Sequence, residues 1–401
     1  LISSDKVNQA QYLISIAHNE EEKTQKAAIF HAIRLLYPYF PRPGQTDALH
    51  HLIYRKKDLI LIAKTSFGKS MIPQAVSMLV KKSITIVILP LDQIGKEQEQ
   101  YIEQMAGKPY FLNANSINNS ILQKIADAQY THILMSPELA VSKRLLPVLE
   151  TPKFKEQLCL VVIDEAHLVA HWGVKFRLDY SRLNLLRIVV GQQTQWYACS
   201  ATLDPSTLDA MIKGVGFDTN VTIQRTSIDR PELLLRLGII PKKSGKAFTA
   251  LRFVFDPDPL STNLARVKPT DIPKTIIFFD SKDDIQKAHG VLMAYLQSHP
   301  KYQYTKKEAS DVVRVFTRDT HDEDKDALIA EFQKPSDSSI IRVVLATEAL
   351  GIGVNKLSDV RRAINYGIPK GGIHPFFGSE VDGPAEMEKP AKSSFLFNNG
   401  R

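Results

Sequence analysis

The sequence predicts an α/β protein of two domains, each built on a parallel sheet, and three observations support this fold class. The chain has 401 residues, which is too long for one typical domain core. Its 44% apolar and 23% charged residues are typical of a packed globular protein. Short apolar, β-branched runs alternate with longer helical patterns, and this alternation indicates parallel sheets covered by helices on both faces.

The first half of the chain predicts a helical lead followed by one α/β domain. Residues 1–34 form the lead, because the segment AAIFHAIRLLYPYF (27–40) carries apolar residues at helical spacing and meets Pro38. Residues 35–227 form the first domain. Its predicted strands are 58–63, 83–90, 131–137, 158–164 and 195–202.

The second half predicts a second α/β domain over residues 228–370. The polar stretch FDTNVTIQRTSIDRPEL (217–233) interrupts the alternation and marks the boundary. The tail, residues 371–401, is rich in Gly and Pro, has no periodicity and is predicted to be irregular. The predicted strands of this domain are 233–240, 274–280, 311–317, 341–347 and 360–368.

Charge and cysteine content narrow the class of protein only slightly. The 51 basic and 43 acidic residues give a net charge of +8, which suits a polyanionic partner and equally suits a bland basic surface. Cys159 and Cys199 lie in apolar runs and are predicted to be buried thiols, so neither a disulfide framework nor a zinc site is expected. These thiols and the lack of a signal-peptide layout predict a reducing, intracellular location, and no membrane span is expected.

The stretch AKTSFGKS (63–70) follows an apolar strand and opens a helical pattern, which is the setting of a phosphate-binding loop. In this reading Lys69 neutralises the β and γ phosphates and Ser70 is a ligand of Mg²⁺. The first glycine of the usual pattern is replaced by Ala63, and a bulky Phe67 precedes Gly68. An exposed turn that happens to carry a lysine is the alternative. The predicted nucleotide-binding residues of this loop are Thr65, Ser66, Gly68, Lys69 and Ser70.

The stretch VVIDEAHLVAHWG (161–173) places two acids directly after an apolar strand. At the carboxyl edge of a parallel sheet, Asp164 can hold Mg²⁺ through water and Glu165 can polarise an attacking water. A solvated Asp-Glu pair at a helix start is the alternative. Further along, CSATL (199–203) ends another strand, and its Ser200 and Thr202 hydroxyls can link the acids to a neighbouring element or serve as a simple cap.

The segment HWGVKFRLDYSRL (171–183) follows the acids and combines aromatic with basic side chains. An aromatic ring and a guanidinium can stack on exposed bases, and arginine also reaches phosphate. This segment resembles the aromatic-rich loop that follows the acids in RecQ helicases, which implies that Trp172, Phe176 and Arg177 bind DNA. A hydrophobic staple under a helix is the alternative for Trp172.

Taken in order, AKTSFGKS, DEAH and SAT resemble motifs I, II and III of the superfamily-two helicases. RPGQ (42–45) resembles the adenine-reading motif of RecQ helicases, which implies that Arg42 and Gln45 contact the base. LPLDQIGKEQ (89–98), MSPE (135–138) and the aromatic segment after DEAH also resemble RecQ sequences, whose phosphate loops likewise lack the first glycine. The resemblance implies ATP and Mg²⁺ as cofactors and a catalytic set of Lys69, Asp164, Glu165 and His167.

The second half carries the resemblance further. DRPEL (229–233) resembles the RecQ interdomain junction and IIFFDSKDD (276–284) resembles motif IV. ATEALGIGVNKLSDVRRAINYGIP (346–369) resembles motif V, where Gly351 and Gly353 would allow close backbone approach and couple the domains. The resemblance covers residues 35–370 and implies two tandem RecA-like domains.

One motif of the family is missing. Motif VI supplies an arginine finger soon after the stretch that corresponds to NYGIP (365–369), yet after Arg362 the next arginine is Arg401. Loss of an arginine finger commonly costs about 10³–10⁵ in turnover. Two hypotheses stay open: a truncated or altered chain, or a protein that binds ATP and DNA but hydrolyses ATP poorly. No zinc-bearing RecQ C-terminal region or winged helix is found in the sequence.

The sequence thus predicts a RecQ-like ATP-dependent DNA helicase that moves 3′ to 5′, a direction that the resemblance alone implies. The expected partners are single-stranded and partly duplex DNA. The alternative is a truncated or catalytically weak ATP- and DNA-binding protein. An RNA helicase is disfavoured, because the aromatic segment after DEAH is a RecQ trait. The expected location is the nucleus in a eukaryote and the cytoplasm otherwise.

Overall fold

The structure is a computed structural model that divides the chain into two compact units, Leu1–Ile228 and Asp229–Arg401. Each unit contains a parallel sheet flanked by helices, so the predicted α/β fold class is confirmed. The residues that the structure describes are 2–64, 67–89, 92–167, 182–201, 203–227, 233–240, 247–256, 266–317, 319–347, 359–367 and 391–398.

The first unit has a seven-stranded sheet in the order β3-β4-β2-β5-β6-β1-β7, and every pair is parallel. All residues of β1 and β2 are buried, because helices cover both faces of the sheet. The strands are β1 Leu59–Ile62, β2 Ile84–Ile88, β3 Pro109–Leu112, β4 His132–Met135, β5 Leu158–Ile163, β6 Gln195–Ser200 and β7 Thr222–Arg225.

Eleven helices surround this sheet in the described part of the first unit. They are α1 Ser4–Ile16, α2 Glu22–Leu36, α3 Pro43–His50, α4 Met71–Leu79, α5 Asp92–Gln104, α6 Asn119–Ala126, α7 Pro137–Ala140, α8 Leu146–Leu149, α9 Pro152–Gln157, α10 Leu183–Val190 and α11 Pro205–Val215. A π-helical turn, His51–Arg55, continues α3. No described helix has the length and apolar character needed to cross a bilayer.

Alternate residues of each strand supply two apolar cores, one on each face of the sheet. Leu59 and Leu61 belong to the core that also holds α1 to α4, whereas Ile60 and Ile62 belong to the core on the other face. This division follows from the two-residue period of a strand. The predicted helical lead therefore contributes to the core on one face of the sheet, and its residue Ile33 is fully buried.

Two strands of the first unit, β3 and β7, were not predicted from the sequence. Strand β7 lies inside the polar stretch 217–233, and its four residues are exposed or half-buried because it is an edge strand. Strand β3 is the opposite edge of the same sheet. An edge strand needs less apolar surface than a central strand, which explains why composition does not reveal β7; three of the four residues of β3 are buried, so this reason does not apply to β3.

The second unit has a six-stranded parallel sheet in the order β10-β11-β9-β12-β13-β8. Its strands are β8 Leu233–Ile240, β9 Thr275–Phe278, β10 Val313–Phe316, β11 Val343–Ala346, β12 Arg362–Tyr366 and β13 Ala391–Asn398. Its helices are α12 Lys282–Ser298, α13 Lys306–Val312 and α14 Asp322–Gln333, with 3₁₀ segments at Ala247–Phe255 and Pro269–Asp271.

Strand β13 corrects one prediction. The irregular tail predicted over residues 371–401 is wrong for Ala391–Asn398, which pairs with β12 on one side and β8 on the other. The short run AKSSFLFN lies beside a Gly- and Pro-rich stretch, and this composition concealed it. Its backbone groups are paired across two neighbouring strands, which only the tertiary fold provides.

Two buried cations connect the strands of the second unit to neighbouring loops. Lys274 is fully buried, and its Nζ donates hydrogen bonds to Phe332 O at 2.7 Å and to Asp359 Oδ1 at 2.9 Å. Arg342 donates hydrogen bonds from Nε to Ile272 O at 2.5 Å and from Nη1 to Ser336 O at 2.7 Å. Buried charges are tolerated when each donor finds an acceptor, as it does here.

His132 of β4 is a buried neutral imidazole. Its Nε2 lies 3.2 Å from Gln74 O and its Nδ1 lies 2.9 Å from Thr131 Oγ1, so one nitrogen faces an acceptor and the other a hydroxyl. Burial lowers the pKa of His132 from its ordinary 6.5 to about 4, while the backbone hydrogen bonds act in the opposite direction. The folded protein therefore resists protonation at this position.

We predict that His132 makes stability fall as the pH decreases between about 6.5 and 4. In this window the unfolded chain binds a proton that the folded protein excludes, which costs up to roughly 3 kcal/mol at the lower limit. Urea unfolding at several pH values measures the slope. His132→Asn should flatten it relative to the wild type, whereas the exposed-site control His31→Asn should leave it unchanged. Equal slopes for His132→Asn and the wild type would contradict the prediction.

Candidate nucleotide site

The loop between β1 and α4 contains the predicted phosphate-binding residues. Lys69 donates hydrogen bonds from Nζ to Ala63 O at 3.1 Å and to Lys64 O at 3.4 Å, so its ammonium group lies over the loop backbone. Gly68 has a φ of +83°, in the left-handed region that glycine adopts without strain. Ser70 precedes the first turn of α4, where backbone N–H groups attract anions.

Gln45 fastens the start of α3 to this loop. Its Oε1 accepts a hydrogen bond from Arg42 N at 2.8 Å, and its Nε2 donates to Phe67 O at 2.8 Å and Gly68 O at 3.2 Å. A Cβ on Gly68 would lie only 2.5 Å from Gln45 Nε2. The two segments predicted to contact base and phosphate are therefore in direct contact.

Phe67, the bulky residue of the loop, is buried in the core beneath the loop. Its side chain is 7% exposed, and the Arg42 guanidinium lies 5.7 Å from the centre of its ring. A Cβ on Gly44 would lie 3.1 Å from the edge of the ring, so the ring packs closely against this turn. The side chain thus occupies the core beneath the loop, away from solvent.

Asp164 follows β5 and is held by donors from three elements. Its Oδ1 accepts hydrogen bonds from Glu165 N at 3.0 Å and Cys199 Sγ at 3.2 Å, and its Oδ2 accepts a long one, 3.4 Å, from Gln98 Nε2. Burial raises the pKa of Asp164, and the neighbouring charge of Glu165 raises it further, while Lys69 acts in the opposite direction. A cation close to Asp164 would relieve this unfavourable setting.

Glu165 and His167 form a second pair beside Asp164. Burial opposes the ionisation of Glu165, but the His167 hydrogen bond and the charges of His167 and Lys69 prevail and lower its pKa. His167 Nδ1 lies 3.3 Å from Glu165 Oε2 and 2.9 Å from Ser200 Oγ. Glu165 has a φ of +48°, an unusual conformation for glutamate that turns the chain at the end of β5.

Backbone pairing brings these parts to one edge of the sheet. Ala63 N donates to Ser200 O at 3.1 Å, and Ala166 N donates to Cys199 O at 2.9 Å. Both bonds lie beyond the carboxyl ends of the strands, where ligands bind in open parallel sheets. The loop, the acids and Ser200 are therefore neighbours, as their positions at the carboxyl ends of β1, β5 and β6 suggested.

Two contributors to the site were not singled out from the sequence. Cys199 is buried and reduced, and it donates its thiol proton to Asp164. Gln98 of α5 lies 66 positions before Asp164, within a segment quoted only for its resemblance to a family motif. An exposed helix face is the default expectation for a glutamine, so its role depends on how α5 packs.

Several predicted residues lie outside the described part of the chain, and their roles stay predictions. They are Thr65, Ser66, Trp172, Phe176, Arg177, Thr202, Gly351 and Gly353.

Comparisons with known proteins identify helicases as similar proteins. Residues 42–211 match the family described as DEAD/DEAH box helicase. The bifunctional 3'-5' exonuclease/ATP-dependent helicase WRN of Mus musculus is 26% identical over 332 residues, which are 82% of this chain and 21% of WRN. The ATP-dependent DNA helicase RecQ of Haemophilus influenzae is 24% identical over 332 residues, which are 82% of this chain and 47% of RecQ. The chain thus spans about a fifth to a half of the length of these relatives.

Solved structures show the same fold. S. cerevisiae Dbp5 bound to RNA and ADP BeF3 aligns with a TM-score of 0.62 at 15% identity, covering 96% of this chain and 89% of Dbp5. The DUF1998 helicase MrfA bound to DNA and AMPPNP aligns with a TM-score of 0.64 at 14% identity, covering 89% of this chain and 48% of MrfA.

The family match and the fold thus point to the same class: residues 42–211 match the DEAD/DEAH box helicase family, and the chain has the fold of the solved helicase structure described above. Among helicases, the chain is similar to RecQ and WRN over 82% of its length. The resemblance drawn from its motifs is thereby confirmed.

The described residues fit the ATP that this class uses, together with Mg²⁺. Lys69 and the start of α4 offer positive charge and N–H groups to phosphate. Ser70 and Asp164 offer the oxygen ligands that Mg²⁺ prefers. Among the described residues no group of three or more His, Cys, Asp or Glu side chains could hold a metal. Mg²⁺ held by one or two protein oxygens, waters and phosphates needs no such group.

We predict that Gly68→Ala weakens ATP binding about tenfold or more, because the left-handed conformation costs alanine about 1–2 kcal/mol and its Cβ displaces Gln45. Binding of a fluorescent ATP analogue measures the effect. Gly290→Ala is the control, since a Cβ there meets no atom within 4 Å. Unchanged affinity in a folded Gly68→Ala protein would show that the loop does not adopt this conformation when it binds nucleotide.

Proposed function

We propose that this chain is the core of a RecQ-type DNA helicase that uses ATP hydrolysis to move 3′ to 5′ along single-stranded DNA and unwind duplex. The observation that carries the proposal is the convergence of Lys69, the acids Asp164 and Glu165, and the His167–Ser200 pair at one sheet edge. The similarity to proteins named ATP-dependent DNA helicases supports DNA as the substrate.

Each residue of the site has a role that follows from its setting. Lys69 exchanges its loop carbonyls for phosphate oxygens, which are stronger, charged acceptors. Ser70 and Asp164 would hold Mg²⁺, which would neutralise the charge that develops on the phosphates. Glu165 orients and polarises the attacking water, because its lowered pKa keeps it ionised.

The remaining residues connect hydrolysis to the rest of the protein. Arg42 and Gln45 contact the adenine, and Gln45 relays its position to the loop through Phe67 O. His167 lies between Glu165 and Ser200, so it can transmit a shift of β6 to the water-orienting acid. We assign DNA stacking to Trp172, Phe176 and Arg177, interdomain coupling to Thr202, Gly351 and Gly353, and further phosphate contacts to Thr65 and Ser66. We place the protein inside the cell, in the nucleus if the source is eukaryotic.

A second candidate is a catalytically weak ATP- and DNA-binding protein. The observation that favours it is the lack of arginine between Arg362 and Arg401, the region where the family carries its arginine finger. The two candidates differ in turnover and share the same predicted ligands, so hydrolysis measured with and without DNA separates them.

We predict that single-stranded DNA stimulates ATP hydrolysis by the wild-type chain and that Lys69→Ala lowers this rate by at least about 10², since it removes a charge aimed at the reacting phosphate. Phosphate release measures the rate. Lys81→Ala, at an exposed lysine just after α4, is the matched control and should behave as wild type. If DNA fails to raise wild-type hydrolysis above that of Lys69→Ala, the weak-binding candidate replaces the helicase.

We predict that Trp172→Ala abolishes DNA stimulation while leaving DNA-independent hydrolysis within about twofold, because stacking on bases is worth roughly 1–3 kcal/mol per base. Hydrolysis and DNA binding measured side by side test this role. Stimulation equal to the wild type would show that Trp172 does not couple DNA binding to hydrolysis.

Unwinding of duplexes with a 3′ or a 5′ overhang tests the direction of movement, and preference for a 5′ overhang would contradict our assignment.

A further inference from the structure

Gln98 is a buried polar side chain, and only one end of its amide forms a hydrogen bond. It lies on α5 with 8% of its surface exposed, and its Nε2 donates to Asp164 Oδ2 over 3.4 Å. The opposite amide orientation would place Oε1 against the carboxylate oxygen, so Asp164 itself fixes which end of the amide faces it.

The other end of this amide, Oε1, is buried and has no hydrogen-bond partner within the described part of the chain. A buried carbonyl without a donor is unfavourable, and native proteins rarely keep one unless another molecule supplies the donor. Because Nε2 of the same amide contacts the predicted magnesium ligand, the missing donor belongs beside Asp164.

The chemistry of Mg²⁺ supplies such a donor. Mg²⁺ gives up its waters reluctantly and is usually bound through one or two carboxylates with several waters retained. Each retained water carries two O–H donors, and it presents them to acceptors just outside the first shell. Groups that orient metal ligands from this position typically change metal affinity 10–100-fold.

We propose that Gln98 is a positioning residue for the magnesium nucleotide. Its amide N–H holds Oδ2 of Asp164 in place, and its Oε1 accepts a hydrogen bond from a water of the cation. The inference rests on the proposed function, since it assumes that Asp164 holds Mg²⁺. With Gln98, helix α5 joins the elements that build the site. None of the other residues assigned to the nucleotide lies on α5.

The test is the Mg²⁺ concentration required for half-maximal binding of a fluorescent, non-hydrolysable ATP analogue, which needs no turnover. Gln98→Met keeps the length of the side chain and removes both polar groups, and we expect it to raise this concentration 10–100-fold. Gln98→Asn keeps both groups on a shorter stem and should give a smaller increase. Gln100→Met, at an exposed position of the same helix, is the control and should match the wild type.

Urea unfolding without Mg²⁺ separates positioning from folding. We expect Gln98→Met to be as stable as the wild type there, since it removes an unpaired buried acceptor. A wild-type Mg²⁺ requirement in Gln98→Met overturns the inference and leaves the proposed function standing. The inference is also overturned if Gln98→Met raises the Mg²⁺ requirement only to the extent that it lowers the stability measured without Mg²⁺. Nucleotide binding by the wild type that ignores Mg²⁺ overturns both.

Discussion

The parallel pairing of β5 between β2 and β6 is the constraint on which the rest of the site depends. It fixes the carboxyl ends of the strands at one edge, so that Asp164 N reaches Ile88 O at 3.1 Å and Ala166 N reaches Cys199 O at 2.9 Å. A slip of one residue would turn every side chain of the strand to the other face. Strong burial on both faces of the sheet prevents such a slip, and the acids therefore emerge beside the loop after β1.

The electrostatics of the site follow from this packing. Two adjacent carboxylates lie half-buried side by side, and the pKa of Asp164 is raised by loss of solvent while the pKa of Glu165 is lowered by its bond to His167 despite that loss. The two carboxylates therefore differ: a nearby cation would stabilise the ionised form of Asp164, whereas Glu165 is already ionised and can polarise water. Lys69 lies close enough to favour the charged form of both.

The loop shows how a departure from a family pattern is accommodated. Phe67 is bulky for a phosphate-binding loop, and it packs into the core under the turn that precedes α3. Its backbone carbonyl accepts from Gln45, so the segment predicted to read the base is joined to the segment predicted to hold the phosphates. The glycine that does have to be glycine is Gly68, whose positive φ and close contact with Gln45 leave no room for a side chain.

The sequence by itself determined the fold class, the central strands and the local chemistry of the loop and the acids, because apolar runs and Gly-Lys-Ser or Asp-Glu after a strand are short-range features. It did not reveal β7 or β13, since edge position and pairing with distant strands outweigh composition there. Only the tertiary structure placed Cys199 and Gln98 against Asp164, 35 and 66 residues away along the chain. The physical reason is that these contacts depend on which strands are neighbours and how helices pack on them, and residues far apart in sequence carry no local trace of either.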